Sequence, residues 1–261
     1  MYAGFIGRFI CRDVVLCACV VSMAYVSSAA DAADFSLNEL TVSAISAWQG
    51  RNDVEVPNDG TASRFALDAL TGEGPIVGGR VELSGAIRDR QEWRVLLAPL
   101  SLAETGTSIT DIGFQGKIFG EGPIDARYQF NSWRVTWRYL WIDRPDLRVK
   151  VGFTAKLRDA SIRLRQGSVD ARKDDTGFVP LLHGSLERPL MDRWAFQADI
   201  DALGGGPGYA VDMGAGVSYA LTDDWRLGAQ VRFLDGGADN DKVYAFARFT
   251  SITLGLTWRP R

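Results

Sequence analysis

Three side chains in the stretch "PLLHGSLERPL" are spaced for chemistry. His183, Ser185 and Glu187 stand two residues apart, so on a β-strand all three project from one face. A histidine beside a hydroxyl, with a carboxylate in reach, is the minimum for an activated nucleophile: the imidazole takes the hydroxyl proton and the carboxylate orients the imidazole. The same trio on a strand is also an ordinary polar ladder. His183 is the chain's one histidine, so any imidazole chemistry is confined to this place. A second candidate is "DGGADND", where Asp235, Asp239, Asn240 and Asp241 offer hard oxygen ligands for calcium. That stretch lacks the spacing of an EF-hand loop, and a Gly- and Asp-rich hairpin loop explains it equally well. "GGGPG" is followed by no Lys-Ser/Thr pair and is not a phosphate loop. No cofactor and no metal site is assigned from these residues.

The elements that must carry these side chains are written in period two. "FNSWRVTWRYLW" places Trp133, Val135, Trp137, Tyr139 and Trp141 on one face of a strand and Ser132, Arg134, Thr136 and Arg138 on the other. The same alternation runs through Val77–Gly85, Leu147–Arg158, Trp194–Asp201, Tyr209–Tyr219, Trp225–Phe233 and Ile252–Trp258. The chain therefore reads as all-β, and no helical stretch competes. Turn-forming clusters punctuate the runs. "TDD", "RPLMD" and "IDRPD" are short, and most of the intervening connections are longer and richer in Gly or Asp. Trp141, Trp194, Trp225 and Trp258 all fall beside the short connections and in the apolar register. A large apolar ring with a polar N–H suits a bilayer interface, so these four are expected at one membrane boundary.

The polar register is charged. Arg134, Arg138, Arg148, Lys150, Lys156 and Arg158 share two neighbouring strands, and Asp199, Asp201 and Asp212 come from strands farther along. All nine are expected to line the lumen, where charge either borders an aqueous path or closes it by pairing across.

The first 33 residues read as a secretory signal, with Arg8 and Arg12 before the apolar run "VVLCACVVSMAY" and small residues after it. Cleavage is expected between Ala29 and Asp34, and residues 34–261 then form the barrel domain. Leu16-Cys17-Ala18-Cys19 also resembles a lipobox. Cys11, Cys17 and Cys19 all lie in this segment, so the exported chain has no disulfide or thiolate metal site and holds together by pairing and packing. A formal charge of −3 supplies no basic field for nucleic acid, which is not expected as a partner.

Signal, alternation, aromatic girdle and turn asymmetry together resemble the Gram-negative outer-membrane β-barrel class over the whole exported chain. The segments "FNSWRVTWRYLW", "VGFTAKLRDASIRLRQ", "TGFVPLL" and "DGGADNDKVYAFARF" also resemble one family of outer-membrane proteins, a likeness that implies location and no particular activity. Divided at its turn signals, the exported chain gives an antiparallel transmembrane barrel of about twelve strands, with eight or ten if the weak runs Thr61–Leu70 and Ser108–Phe119 are loops. The resemblance to the outer-membrane class implies outer-membrane lipid and the barrel-insertion machinery as partners. Such barrels usually end on an aromatic residue, whereas this chain ends "GLTWRPR", with Trp258 earlier. The His183-x-Ser185 spacing resembles that of the outer-membrane lipid A 3-O-deacylases, where the pair works with a Glu. Here Leu186 stands where that family's motif has Asn, and Glu187 lies closer than expected. Three readings follow: a narrow channel for small solutes or a structural surface protein; a lipid-modifying hydrolase using His183 and Ser185; and a soluble exported β-barrel that binds a ligand.

Overall fold

The computed structural model describes residues 35–206 and 208–260. The expected export segment, with its cysteines, lies outside the described residues. Alternating sequence becomes long antiparallel strands: β1 (Glu39–Glu55), β3 (Ile76–Arg88), β4 (Gln91–Ala98), β5 (Ser101–Ser108), β8 (Gly122–Arg144), β9 (Leu147–Gln166), β10 (Val169–Met191), β11 (Trp194–Gly205), β12 (Gly208–Ala220), β13 (Trp225–Asn240) and β14 (Val243–Trp258). Consecutive strands pair, except that β4 and β5 both pair with β8 and not with each other, and β14 returns to β1, so that Leu40 stands opposite Trp258 and the sheet closes. Closure leaves no unpaired edge where β14, β1, β3 and β4 run side by side, as a membrane barrel requires; farther along, β5 pairs on one side only, with β8.

The sheet has twelve strands, and the closed ring has ten staves. β4 and β5 both pair with β8 and form one stave interrupted at Pro99, which has no N–H to give. The short β2 (Phe65–Ala66) pairs only with β1 at the rim. The two weak runs are not staves. Residues 61–70 hold β2 and the start of the helix α1 (Leu67–Thr71), a helix the alternation did not announce, while residues 108–119 hold a hairpin of β6 (Ile112–Phe114) and β7 (Lys117–Phe119).

The outward register is apolar across a band and charged beyond it. Trp133, Leu157 and Phe178 stand side by side on β8, β9 and β10. On one side of that row come Val135, Trp137, Phe153 and Val151, all exposed; on the other come Asn131, Asp159, Arg127, Arg163 and Arg172. An exposed belt of this kind is stable against lipid and costly against water. At the end of the short turns (the near end) Trp225 faces Trp258 across the β13–β14 pair, and the Trp194 ring lies 5.0 Å from that of Tyr219. Trp141 also reaches this end, 63% exposed. The four tryptophans thus share one rim, as their spacing predicts.

Inside, the far half of the barrel is a packed apolar core. Ile124, Ala126 and Tyr128 follow the same inward register on β8 as Arg134 and Arg138, and they are buried with Leu164, Phe249 and Val54. The helix α1 adds Leu67 and Leu70, and its backbone lies against β5 because residue 106 is glycine: a Cβ there would stand 2.4 Å from the Leu70 carbonyl oxygen. The β6–β7 hairpin crosses the mouth. Gly113 N–H donates to Ser63 Oγ (2.9 Å) and Gln115 N–H to Val56 O (2.9 Å), while Lys117 reaches Asp170 O on the opposite side (2.5 Å). Phe114 and Phe119 are fully buried beneath it.

Candidate functional site

The near half of the lumen is polar, and its centre is an ion-paired cluster built across the barrel. Arg134 leaves β8 and donates to Asp201 of β11 at 2.7 Å and, in a close contact, to Asp212 of β12. Arg232 of β13 donates to both oxygens of Asp199 at 2.8 Å and to Asp212 at 2.9 Å. Such forked pairs are the strong form of a guanidinium–carboxylate contact. The arginine has room because residue 214 is glycine: a Cβ there would stand 2.3 Å from Arg232 Nη1. Asp201 is wholly buried and accepts from Thr154 Oγ1 and the His183 ring, each at 2.8 Å. Charges so buried persist because they are paired; an unpaired one costs several kcal/mol.

Closer to the near end, two glutamates each hold two cations. Glu92 accepts from Arg138 (2.9 Å) and Lys150 (2.6 Å). Glu82 accepts from Arg94 (2.9 Å) and Arg80 (3.3 Å). Lys156 is buried where the polar half meets the apolar one, its Nζ 5.0 Å from the Phe130 ring centre. The cationic wall and the acidic wall expected from the sequence are both present, and they are bonded to each other.

Two of the expected lumen residues do other work. Arg158 pairs with Asp175 on the adjacent β10, and Arg148 sits half-exposed at the rim, 3.5 Å from Asp143. Arg80, Glu82, Glu92, Arg94 and Arg232 were missed, although each alternates with an outward apolar residue as Arg134 and Arg138 do. Applying the period-two rule to "GRVELSG", "QEWRVLL" and "QVRF" would have found them.

The spacing of His183, Ser185 and Glu187 does put all three on the inward face. Their partners differ from the expected ones. The orienting carboxylate of His183 is Asp201, Glu187 accepts from Arg226 (2.6 Å), and among the described residues no hydrogen bond joins His183 to Ser185. The acidic stretch over residues 235–241 is mostly strand. Asp235–Asn240 belong to β13, Asp235 pairs with Arg248 (2.8 Å), and Asn240 Oδ1 accepts the amides of Lys242 and Val243 to close the turn. Among the described residues no three His, Cys, Asp or Glu side chains gather as a metal would need.

A cavity of about 160 Å³ opens among these groups toward the near end. Arg226, Glu187 and Arg259 border it at the partly exposed rim, and Arg94, His183 and Arg232 form its buried floor. Among the buried side chains that line it, Arg94 Nη1, His183 Nε2, Ser218 Oγ and Thr253 Oγ1 have no hydrogen-bond partner.

No protein-family model and no curated protein matches this chain. Among solved structures, the outer membrane protease OmpT of Escherichia coli superposes with a TM-score of 0.52 at 10% identity, over 86% of this chain and 98% of that one. Ail, the attachment invasion locus protein of Yersinia pestis, covers 85% of this chain and 99% of its own at 11% identity, with a TM-score of 0.40. The fold is that of an outer-membrane β-barrel protein. The apolar belt and the tryptophan rim fit it to that membrane.

Proposed function

We propose that this protein is a closed, non-conducting outer-membrane barrel acting as a structural surface protein. The observation that carries this reading is that the lumen is obstructed twice in series. The Arg134–Asp201–Asp212–Arg232 cluster spans its middle, and the apolar core around Phe114, Leu67 and Tyr128 fills the far half. An ion crossing that path would need to break buried pairs and then traverse a dry segment, each step costing several kcal/mol.

The short turns, the start of β1 and the end of β14 share the near rim, which by the usual asymmetry of such barrels faces the periplasm. The far parts of β8, β9 and β10 then project outside the cell. Their outward faces carry Arg127, Arg163 and Arg172 on one rung. Asp170 and Asp174 offset the like charges through pairs with Arg163 and Arg172. A stiff charged sheet standing on a solid barrel is a platform for surface contacts. The hydrolase reading has less support, since Glu187 is engaged by Arg226 and His183 does not bond Ser185. The soluble reading would leave Val135, Phe153, Leu157 and Val231 in water.

Planar-bilayer recording tests the proposal. The purified protein should insert, shift on gels when heated, and give no steady conductance. Stable unitary steps from the unmodified protein would reject it in favour of the narrow channel.

A further inference from the structure

We infer that the near-end cavity is a binding site for a hydrogenphosphate-type oxyanion, with Arg94 and His183 as its floor and Arg80 and Lys150 as its cationic wall. The site goes beyond a structural role, which needs no ligand.

Charge is the first ground. Eight arginine or lysine side chains line the cavity against four carboxylates. Rim pairs such as Arg226–Glu187 and Arg259–Glu39 cancel. Deeper in, Glu82 is shared by Arg80 and Arg94, and Glu92 by Arg138 and Lys150. The two glutamates thus leave two cations in excess; Arg134 and Arg232 face three carboxylates, Asp199, Asp201 and Asp212, which offsets one of them, and the remaining positive charge points to an anion.

Unsatisfied hydrogen bonding is the second ground, and it selects the chemistry. The Arg94 side chain is 2% exposed, and its Nη1 lies 3.5 Å from Asp201 Oδ2; at that distance no useful hydrogen bond forms. The His183 side chain is 1% exposed and gives Nδ1 to Asp201. In the neutral imidazole, Nδ1–H donates to that carboxylate and Nε2 is left as an acceptor. The floor thus holds a guanidinium N–H wanting an acceptor and, in the neutral ring, an imidazole nitrogen wanting a donor. Both atoms are buried, where an unmade hydrogen bond costs about 1–3 kcal/mol. Hydrogenphosphate, or a phosphate monoester carrying one proton, supplies both: oxygens for Arg94 and one O–H for Nε2. Sulfate and chloride have no proton to donate.

Size is the third ground. Taking about 30 Å³ per water, a cavity of about 160 Å³ holds several waters or one tetrahedral oxyanion with a small substituent.

The lone histidine makes the test direct, because the chain yields one imidazole signal. The full protein in a sugar-based detergent, free of phosphate headgroups, would be titrated at fixed ionic strength with inorganic phosphate, glycerol phosphate, sulfate and chloride. The NMR signals of the His183 ring nitrogens report binding. A saturable shift with phosphate is expected, with sulfate weaker by about tenfold, the worth of one hydrogen bond. Saturation by glycerol phosphate as well would identify the ligand as a monoester, and its failure a free phosphate. Lys150→Gln and, separately, Arg80→Gln should each weaken phosphate by about tenfold while the imidazole signal of the free protein stays in place. A shift that never saturates, or one equal for sulfate and chloride, would overturn the assignment. So would unchanged phosphate binding in a folded Lys150→Gln protein, the variant nearer the rim.

Discussion

Replacing Asp201 by alanine is the sharpest perturbation of the lumen. Its carboxylate is wholly buried and receives Arg134, Thr154 and the His183 ring, with Arg94 at 3.5 Å. Removing one partner of a buried ion pair costs about 3–5 kcal/mol, because the remaining charge stays buried without compensation. Two further donors lose their acceptor in the same step, which places the expected loss toward the upper end of that range. Arg134 keeps its close contact with Asp212, so the loss should not exceed it. At about 1.4 kcal/mol per tenfold, the folding equilibrium should fall by roughly two to three and a half powers of ten. The control is Asp175→Ala, which breaks the Arg158 pair, whose side chains are 27% and 45% exposed; it should cost about 0–1 kcal/mol. Urea unfolding from phospholipid vesicles, followed by tryptophan fluorescence, separates the two. If Asp201→Ala and Asp175→Ala unfold at the same urea concentration, the cluster is hydrated, and the argument that its ion pairs close the lumen fails.

Val135 lies on the outward face, 58% exposed, inside a belt that runs on β8 from Trp141 to Trp133. Val135→Lys should destabilise the barrel in vesicles by up to about 2–4 kcal/mol, the midplane cost, and by much less in detergent; equal effects in both media would contradict its place in the lipid belt. Phe114 is fully buried, with its ring edge-on to Phe65 at 6.0 Å. Phe114→Ala should cost about 3–5 kcal/mol and should speed proteolysis of the hairpin without opening a conductance, since the ionic cluster remains; steady conductance would assign closure to the hairpin alone. Trp141, Trp194, Trp225 and Trp258 should be quenched by lipids brominated near the headgroups more than by lipids brominated at the chain ends, and the reverse ranking would move that rim into the bilayer core.

Period two in the sequence determined the strands, which residues face out, and which face in. That much is local: a side chain's direction on a strand is set by its own position, and Trp133 to Trp141 needed no partner to be read correctly. The tryptophan rim was legible for the same reason, because each ring lies beside a short turn in its own stretch. The inward charges were legible as charges, and their pairing was not. Arg134 meets residues 67 and 78 positions away, and only the curvature and closure of the sheet bring β8 opposite β11 and β12. Asp201, and not Glu187, orients His183 because cross-strand register outranks proximity along the chain. The plug was the least legible part. Residues 61–70 and 108–119 lack a sustained period, since a short helix and a small hairpin packed inside a barrel take their order from the walls around them. The number of staves, the closure of the lumen and the cavity at its near end therefore belong to the tertiary structure, where distant side chains first come within bonding distance.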